Sequence, residues 1–267
     1  MPGPARWRAP LDIANAIGQD SGAQGGGRHF KIVGVQFVEK NEIKPFQKEQ
    51  YIIPAEQSAA FVCQMEAVLD VYERPHDVDH PVVCMDESPK QIIDYKEFTG
   101  STGKKYHDPE YTRLGVAELF VAFEPLAGHR EMTVEEDHKT GTWVNFIAQA
   151  MDTRYRDAKK VTWIMDNFST HKKENFYKVF PPQTAKSYLD RMEFVYTPKH
   201  GSWMNMAEIQ FSVLTRSELD RPFKDKEAVK SVVAKWVQNQ NKLKKGAKWQ
   251  FKTADARIKL SKLYPTI

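Results

Sequence analysis

A mixed α/β sheet flanked by helices is the fold class predicted from the sequence, on three observations. Val161–Met165 is a five-residue, mostly apolar run closed by Asp166 and Asn167, the pattern of a buried parallel strand. Pro81–Met85 repeats that pattern and ends in Asp86 and Glu87. Strand-like runs follow one another directly before Thr142, whereas helical and strand periods alternate after it. An antiparallel meander leading into parallel crossovers is the arrangement these orders imply.

The elements follow in chain order. Residues 1–29 carry little pattern, and Ser21–Arg28 (SGAQGGGR) has the composition of a flexible linker. Residues 30–50 mix Ile32, Val33, Val35 and Phe37 with charge and fit neither period cleanly. An irregular amino-terminal segment is therefore expected over residues 1–55. Beyond Pro54, Phe61, Val62, Met65, Val68, Leu69 and Tyr72 recur at helical spacing, and Pro75 ends the helix. After the Pro81–Met85 strand, Gln91–Tyr95 reads as a short strand and Glu97–Thr112 as a polar loop. Val116–Phe123 and Arg130–Val134 read as strands joined through a turn that contains Pro125 and Gly128. Thr142–Tyr155 is a helix with Trp143, Phe146, Ile147, Ala150 and Met151 on one stripe. Beyond the central strand, Lys172–Phe180 and Thr184–Asp190 read as short helices divided by Pro181 and Pro182. Arg191–Tyr196 is a strand, Thr197–Ser202 a loop and Asn205–Leu219 a helix; Lys226–Asn241 and Ala254–Leu263 are basic helices.

The composition narrows the function classes. A chain of 267 residues with 41% hydrophobic content can bury a sizeable core. From Arg221 to Lys262 there are 13 Lys and Arg against 3 acids, so that segment carries +10 and the remainder −6 of the net +4. Such asymmetry suits a polyanionic partner, although a solvated helical face gives the same count. No apolar run approaches the roughly 18 residues of a membrane span. Residues 1–18 lack the apolar core of a secretory signal, and a cytoplasmic setting is expected. Cys63 and Cys84 form no CxxC pair and read as core thiols.

Three acids stand at special points. Asp86 ends one predicted strand, Asp166 ends another, and Glu208 lies in the first turn of the helix after the loop. Carboxylates gathered at one sheet edge make a hard-oxygen site for Mg²⁺ or Mn²⁺. Two such ions, about 3.5–4 Å apart, clamp the attacking and leaving oxygens of a phosphoryl displacement. Each acid also has an ordinary explanation. Asp86 suits a strand-end turn, Asp166-Asn167 an Asx turn, and Asn205-x-x-Glu208 a capping box. Two other motifs are weaker. Gly100–Lys105 (GSTGKK) lacks the first glycine and the final Ser or Thr of a phosphate loop. His76-Asp77-Val78-Asp79-His80 is bracketed by Pro75 and Pro81 and reads as an exposed turn.

Taken together, VVCMDESP, WIMDNFSTH and YTPKHGSWMNMAE resemble the three catalytic blocks of bacterial insertion-sequence DDE transposases of the mariner superfamily. The resemblance covers roughly residues 38–267. It implies a ribonuclease-H-like fold and a recombinase that cuts DNA at transposon ends and joins them to a target, with a TA dinucleotide preferred. It further implies Asp86, Asp166 and Glu208 as catalytic metal ligands for Mg²⁺ or Mn²⁺, as two ions. Asn167, His171, Lys199 and His200 lie in the matching blocks and are candidates for supporting the ligands or facing DNA phosphate. A homodimer is compatible with the resemblance.

Members of that family normally carry an amino-terminal helix-turn-helix region that reads the transposon ends. Residues 1–55 do not resemble one, so a catalytic domain over 56–267 without its DNA-reading partner is expected, from a truncated or split reading frame. The alternative expectation is an inactive DNA-binding remnant held to DNA by the basic carboxy-terminal helices.

Overall fold

In this computed structural model the structure describes residues 58–99, 103 and 105–266. The expected irregular segment, and most of Gly100–Lys105, lie outside the described residues.

α1 (Ala59–Tyr72) starts at Ser58, whose Oγ accepts from the Phe61 amide at 3.2 Å. It buries the expected stripe together with Val71. β1 (Val82–Thr99), β2 (Lys105–Glu124) and β3 (His129–Glu135) follow as an antiparallel meander. α2 (Thr140–Asp152) leads into β4 (Val161–Met165), all five residues of which are buried. α3 (Phe176–Val179) and α4 (Pro182–Asp190) lead into β5 (Met192–Tyr196). α5 (Ala207–Leu214) continues into a π-helical turn over Thr215–Leu219. α6 (Lys226–Leu243) and α7 (Thr253–Lys259) close the described chain.

The sheet order is β3-β2-β1-β4-β5, with β4 parallel to both β1 and β5. This mixed sheet flanked by helices is a ribonuclease-H-like arrangement, as expected. Side-chain alternation divides the core into two layers. Cys84, Leu119, Val121 and Ile164 face α1, α5, α6 and α7, whereas Val83, Met85, Phe120, Trp163 and Met165 face α2, α3 and α4. Both faces of the β1–β4 ladder are therefore dry, which explains the continuous apolar runs in those two strands.

Three expectations are corrected. β1 does not end at Asp86 but runs on to Thr99, and the expected strand Gln91–Tyr95 is its continuation. The expected loop over Glu97–Thr112 is largely strand: it holds the end of β1 and the start of β2, which pair from Cys84↔Phe123 to Thr99↔Lys105. Beyond Cys84, β1 has β2 as its sheet neighbour among the described residues, an edge position that tolerates Pro89. Polar composition there marks an edge arm rather than a loop. The arm is anchored by Ile93 N donating to Phe223 O at 2.8 Å and by Lys90 Nζ donating to Leu219 O at 2.6 Å. Cys63 is exposed rather than a core thiol, because it falls on the outward side of α1; Cys84 is buried.

The β2–β3 turn locks α6 in place. Gly128 has φ +65°, and a Cβ there would lie 2.5 Å from Lys244 O and 2.7 Å from Gly246 N. The buried Arg130 completes the lock, its guanidinium donating to Lys245 O at 2.7 Å and lying over Phe123 and Trp236. Gly128→Ala combines left-handed strain with a clash against backbone, and is expected to lower stability by about 2–4 kcal/mol. Thermal unfolding of the two proteins measures the difference.

Candidate active site at the carboxyl edge of the sheet

The parallel register pairs Val82 with Thr162, Val83 with Trp163 and Cys84 with Ile164. Continuing it by two residues sets Asp86 level with Asp166, just past the end of β4. Asp86 shares the parity of Cys84, the side covered by α5, while Asp166, beyond the strand, also reaches His171. Glu208, in the first turn of α5, approaches from that side. The three acids named from the sequence are thus brought to one edge.

α5 is held in position from below. Asn205 Nδ2 donates to Met85 O at 2.9 Å, while its Oδ1 accepts from the Ala207 amide at 3.1 Å. Tyr72 Oη donates to Met204 O at 2.6 Å. The preceding loop turns sharply at His200 (φ 64°) and Gly201, where a Cβ would come within 2.6 Å of Pro198 Cγ and 2.7 Å of Met204 Cε. Asn205 is therefore more than a helix cap. Its buried amide connects the strand bearing Asp86 to the helix bearing Glu208.

The electrostatics record the convergence. Asp86 is only partly accessible. Burial pushes its carboxyl well above the ordinary aspartate range, and Glu208, Glu87 and Asp166 each push it further. On the other side of the edge lies His171, 1% exposed. Its Nδ1 stands 2.5 Å from Asp166 Oδ1 and its Nε2 3.1 Å from Glu87 Oε1. Burial alone would lower its affinity for a proton, but the hydrogen bonds to Asp166 and Glu87 overcome this and raise it to about 10. At neutral pH the imidazole is a cation between two carboxylates. Trp143 stacks on it at 5.3 Å, and Tyr196 Oη donates to its carbonyl at 2.7 Å.

The other candidates are placed as follows. Asn167 is exposed, and its side-chain oxygen accepts from the Lys172 ammonium. Lys199 and His200 are exposed on the loop after β5, next to the Asp166 edge because Thr197 N donates to Met165 O at 2.9 Å. His80 pairs with Asp77 at 2.8 Å in an exposed turn, as expected of that motif. Sequence reasoning missed Glu87 and Asn175. Glu87 follows Asp86, so alternation sends it to the opposite face, where His171 waits. Asn175 is buried and donates to Ser169 O at 3.0 Å and Thr170 O at 2.8 Å, fixing the loop after β4.

Among the described residues no group of three His, Cys, Asp or Glu side chains is arranged to hold a metal ion by itself. The donor chemistry nevertheless fits a hard divalent cation. Mg²⁺ is commonly held by one or two carboxylates with substrate phosphates completing its shell. Asp86 and Asp166, level on neighbouring strands, are such a pair, with Glu208 behind them.

Comparison with known proteins gives a family. A model described as "DDE superfamily endonuclease" matches residues 81–230. Among solved structures, the Mos1 mariner paired end complex with Mn is similar at TM-score 0.47 and 16% identity, covering 76% of this chain and 63% of that one. The Mos1 Strand Transfer Complex is similar at TM-score 0.48 and 15% identity, covering 85% and 68%. The chain thus spans less than two thirds of the length of the first of these. No curated protein matches the sequence.

The raised Asp86 carboxyl has a stability consequence. In the unfolded chain it ionises at its ordinary pKa, whereas the folded site resists ionisation, so folding is penalised as pH rises above the ordinary aspartate range. Asp86→Asn removes that penalty. It is expected to gain about 1 kcal/mol at pH 7, or about 2–4 °C in Tm. The gain should vanish as pH falls below the ordinary aspartate pKa, and melting curves across pH report it.

Proposed function

The chain belongs to the DDE superfamily endonucleases, and on that premise we propose that residues 56–267 form a transposase catalytic domain that cuts and joins DNA strands. The observation carrying this reading is the convergence of Asp86, Asp166 and Glu208 on one sheet edge. In the proposal these three hold two Mg²⁺ or Mn²⁺ ions. When bound, such ions activate the attacking water or sugar hydroxyl and neutralise charge on the leaving oxygen.

The chain's own residues supply the rest. His171 orients the Asp166 carboxylate and is itself oriented by Glu87, the outer-shell role that keeps a ligand in one rotamer. Asn205 holds Glu208 at a fixed distance from β1. Lys199 and His200, exposed on the adjoining loop, face the phosphate backbone. The basic helices α6 and α7 add sequence-independent attraction for DNA; α6 buries Val229, Val233 and Trp236 and leaves lysines such as Lys230 and Lys235 outward. The solved Mos1 complexes are named for transposon ends and strand transfer. The partners proposed here, from the resemblance of the three sequence blocks, are transposon ends and a target carrying TA, engaged by a homodimer. A bacterial cytoplasm is the proposed setting; among the described residues no helix is long and apolar enough to cross a membrane.

The charge of +10 carried by Arg221 to Lys262 supports a second reading, an inactive DNA-binding remnant. Strand cleavage in Mn²⁺ at equal DNA occupancy separates the two. Under the catalytic reading the wild type nicks or joins DNA, and Asp166→Asn lowers the rate by at least about a thousandfold while DNA affinity changes little. Equal activity in the variant would remove Asp166 from the site, and metal-independent binding without cleavage would establish the remnant.

A further inference from the structure

The loop that follows β4 presents an aromatic ring to solvent. Phe168, two residues after Asp166, is 54% exposed, the most exposed aromatic side chain among the described residues. Exposure of this kind usually reflects a mobile tip, but this loop is pinned. His171 N donates to Phe168 O at 3.1 Å, and the buried Asn175 amide holds the next two carbonyls. One side of the ring leans on His171, 6.2 Å away and tilted by 50°. The rest of it is open.

Its surroundings are polar and cationic. Asn167 and Ser169 flank it and are exposed. The Lys172 ammonium donates to Asn167, and Lys199 and His200 stand on the neighbouring loop. Two residues of chain span at most about 7 Å. Phe168 therefore lies within one or two nucleotides of a phosphate at Asp166, taking a rise of about 3.4 Å per nucleotide. A rigid aromatic ring beside cations is the platform on which an unpaired base stacks, whatever its identity.

We propose that Phe168 stacks on an unpaired nucleobase beside the sheet edge where Asp86 and Asp166 lie, and so positions a frayed strand end in the site. This rests on the reading of the chain as a DNA-processing enzyme. Phe168 is a positioning residue for that reaction, and it takes no part in the chemistry itself. Its ring selects an open strand over an intact duplex, while the lysines provide attraction common to both.

The test is equilibrium binding, by fluorescence anisotropy in EDTA so that no strand is cut. The probes are a blunt duplex and the same duplex with a few unpaired nucleotides at one end, bound by the wild type, Phe168→Leu and Phe168→Trp. The wild type should favour the frayed end by roughly tenfold, the scale of one base stacked on an aromatic ring. Phe168→Leu should lose that preference and keep its affinity for the blunt duplex and its salt dependence. Phe168→Trp should retain the preference. A preference unchanged in Phe168→Leu, or absent from the wild type, overturns the inference and leaves the endonuclease reading intact. Failure of the wild type to bind either DNA overturns both.

Discussion

Three residue pairs, Val82↔Thr162, Val83↔Trp163 and Cys84↔Ile164, set the geometry on which the site depends. This ladder sets Asp86 level with Asp166 at the end of β4, and because side chains alternate with a period of two it also decides which face Asp86 takes. A slip of one residue would turn one of them away from the other. The apolar side chains on both faces make the register costly to change: Val83 and Trp163 fit among Trp143 and Met151, and Cys84 and Ile164 fit beneath α1 and α5. The core is thus the device that brings two carboxylates side by side.

Placing them there has an electrostatic cost that the surrounding residues offset only in part. Burial drives the Asp86 carboxyl up, and the negative charges of Glu208, Glu87 and Asp166 add to it. His171 supplies one buried positive charge, aimed at Asp166 and Glu87. Acids gathered against their own repulsion are a common trade between stability and activity at functional sites. The nearby backbone shows the same tendency, with His200 left-handed in the loop before α5.

Much of this was legible in the sequence, and the failures have identifiable causes. β4 was read correctly because all five of its residues are buried and its ends are marked by Lys160 and Asp166. The stripes of α1 and α2 were equally plain. β1 was cut short at Asp86 because Asp-Glu-Ser-Pro looks like a turn; only the pairing with β2, a long-range fact, shows that the strand continues. Asp166, just past the end of β4, and Glu208, in the first turn of α5, were legible from their positions, whereas Asp86 stands inside β1 and was marked out by its block. Glu87 and Asn175 were not, since their roles come from what lies across the fold: His171 in one case, two loop carbonyls in the other. Asn205 looked like a helix cap from its spacing to Glu208, and the contact that matters, to Met85 O, joins residues 120 positions apart.

In the proposed function the carboxylates at this edge act together as a divalent-cation site. Calorimetric titration of Mn²⁺ into the wild type and Asp166→Asn, each with duplex DNA present to provide phosphate oxygens, tests it most directly. The wild type should bind Mn²⁺ and the Asn variant should lose most of that heat. Identical isotherms for the two proteins, or no binding by the wild type, would contradict the claim.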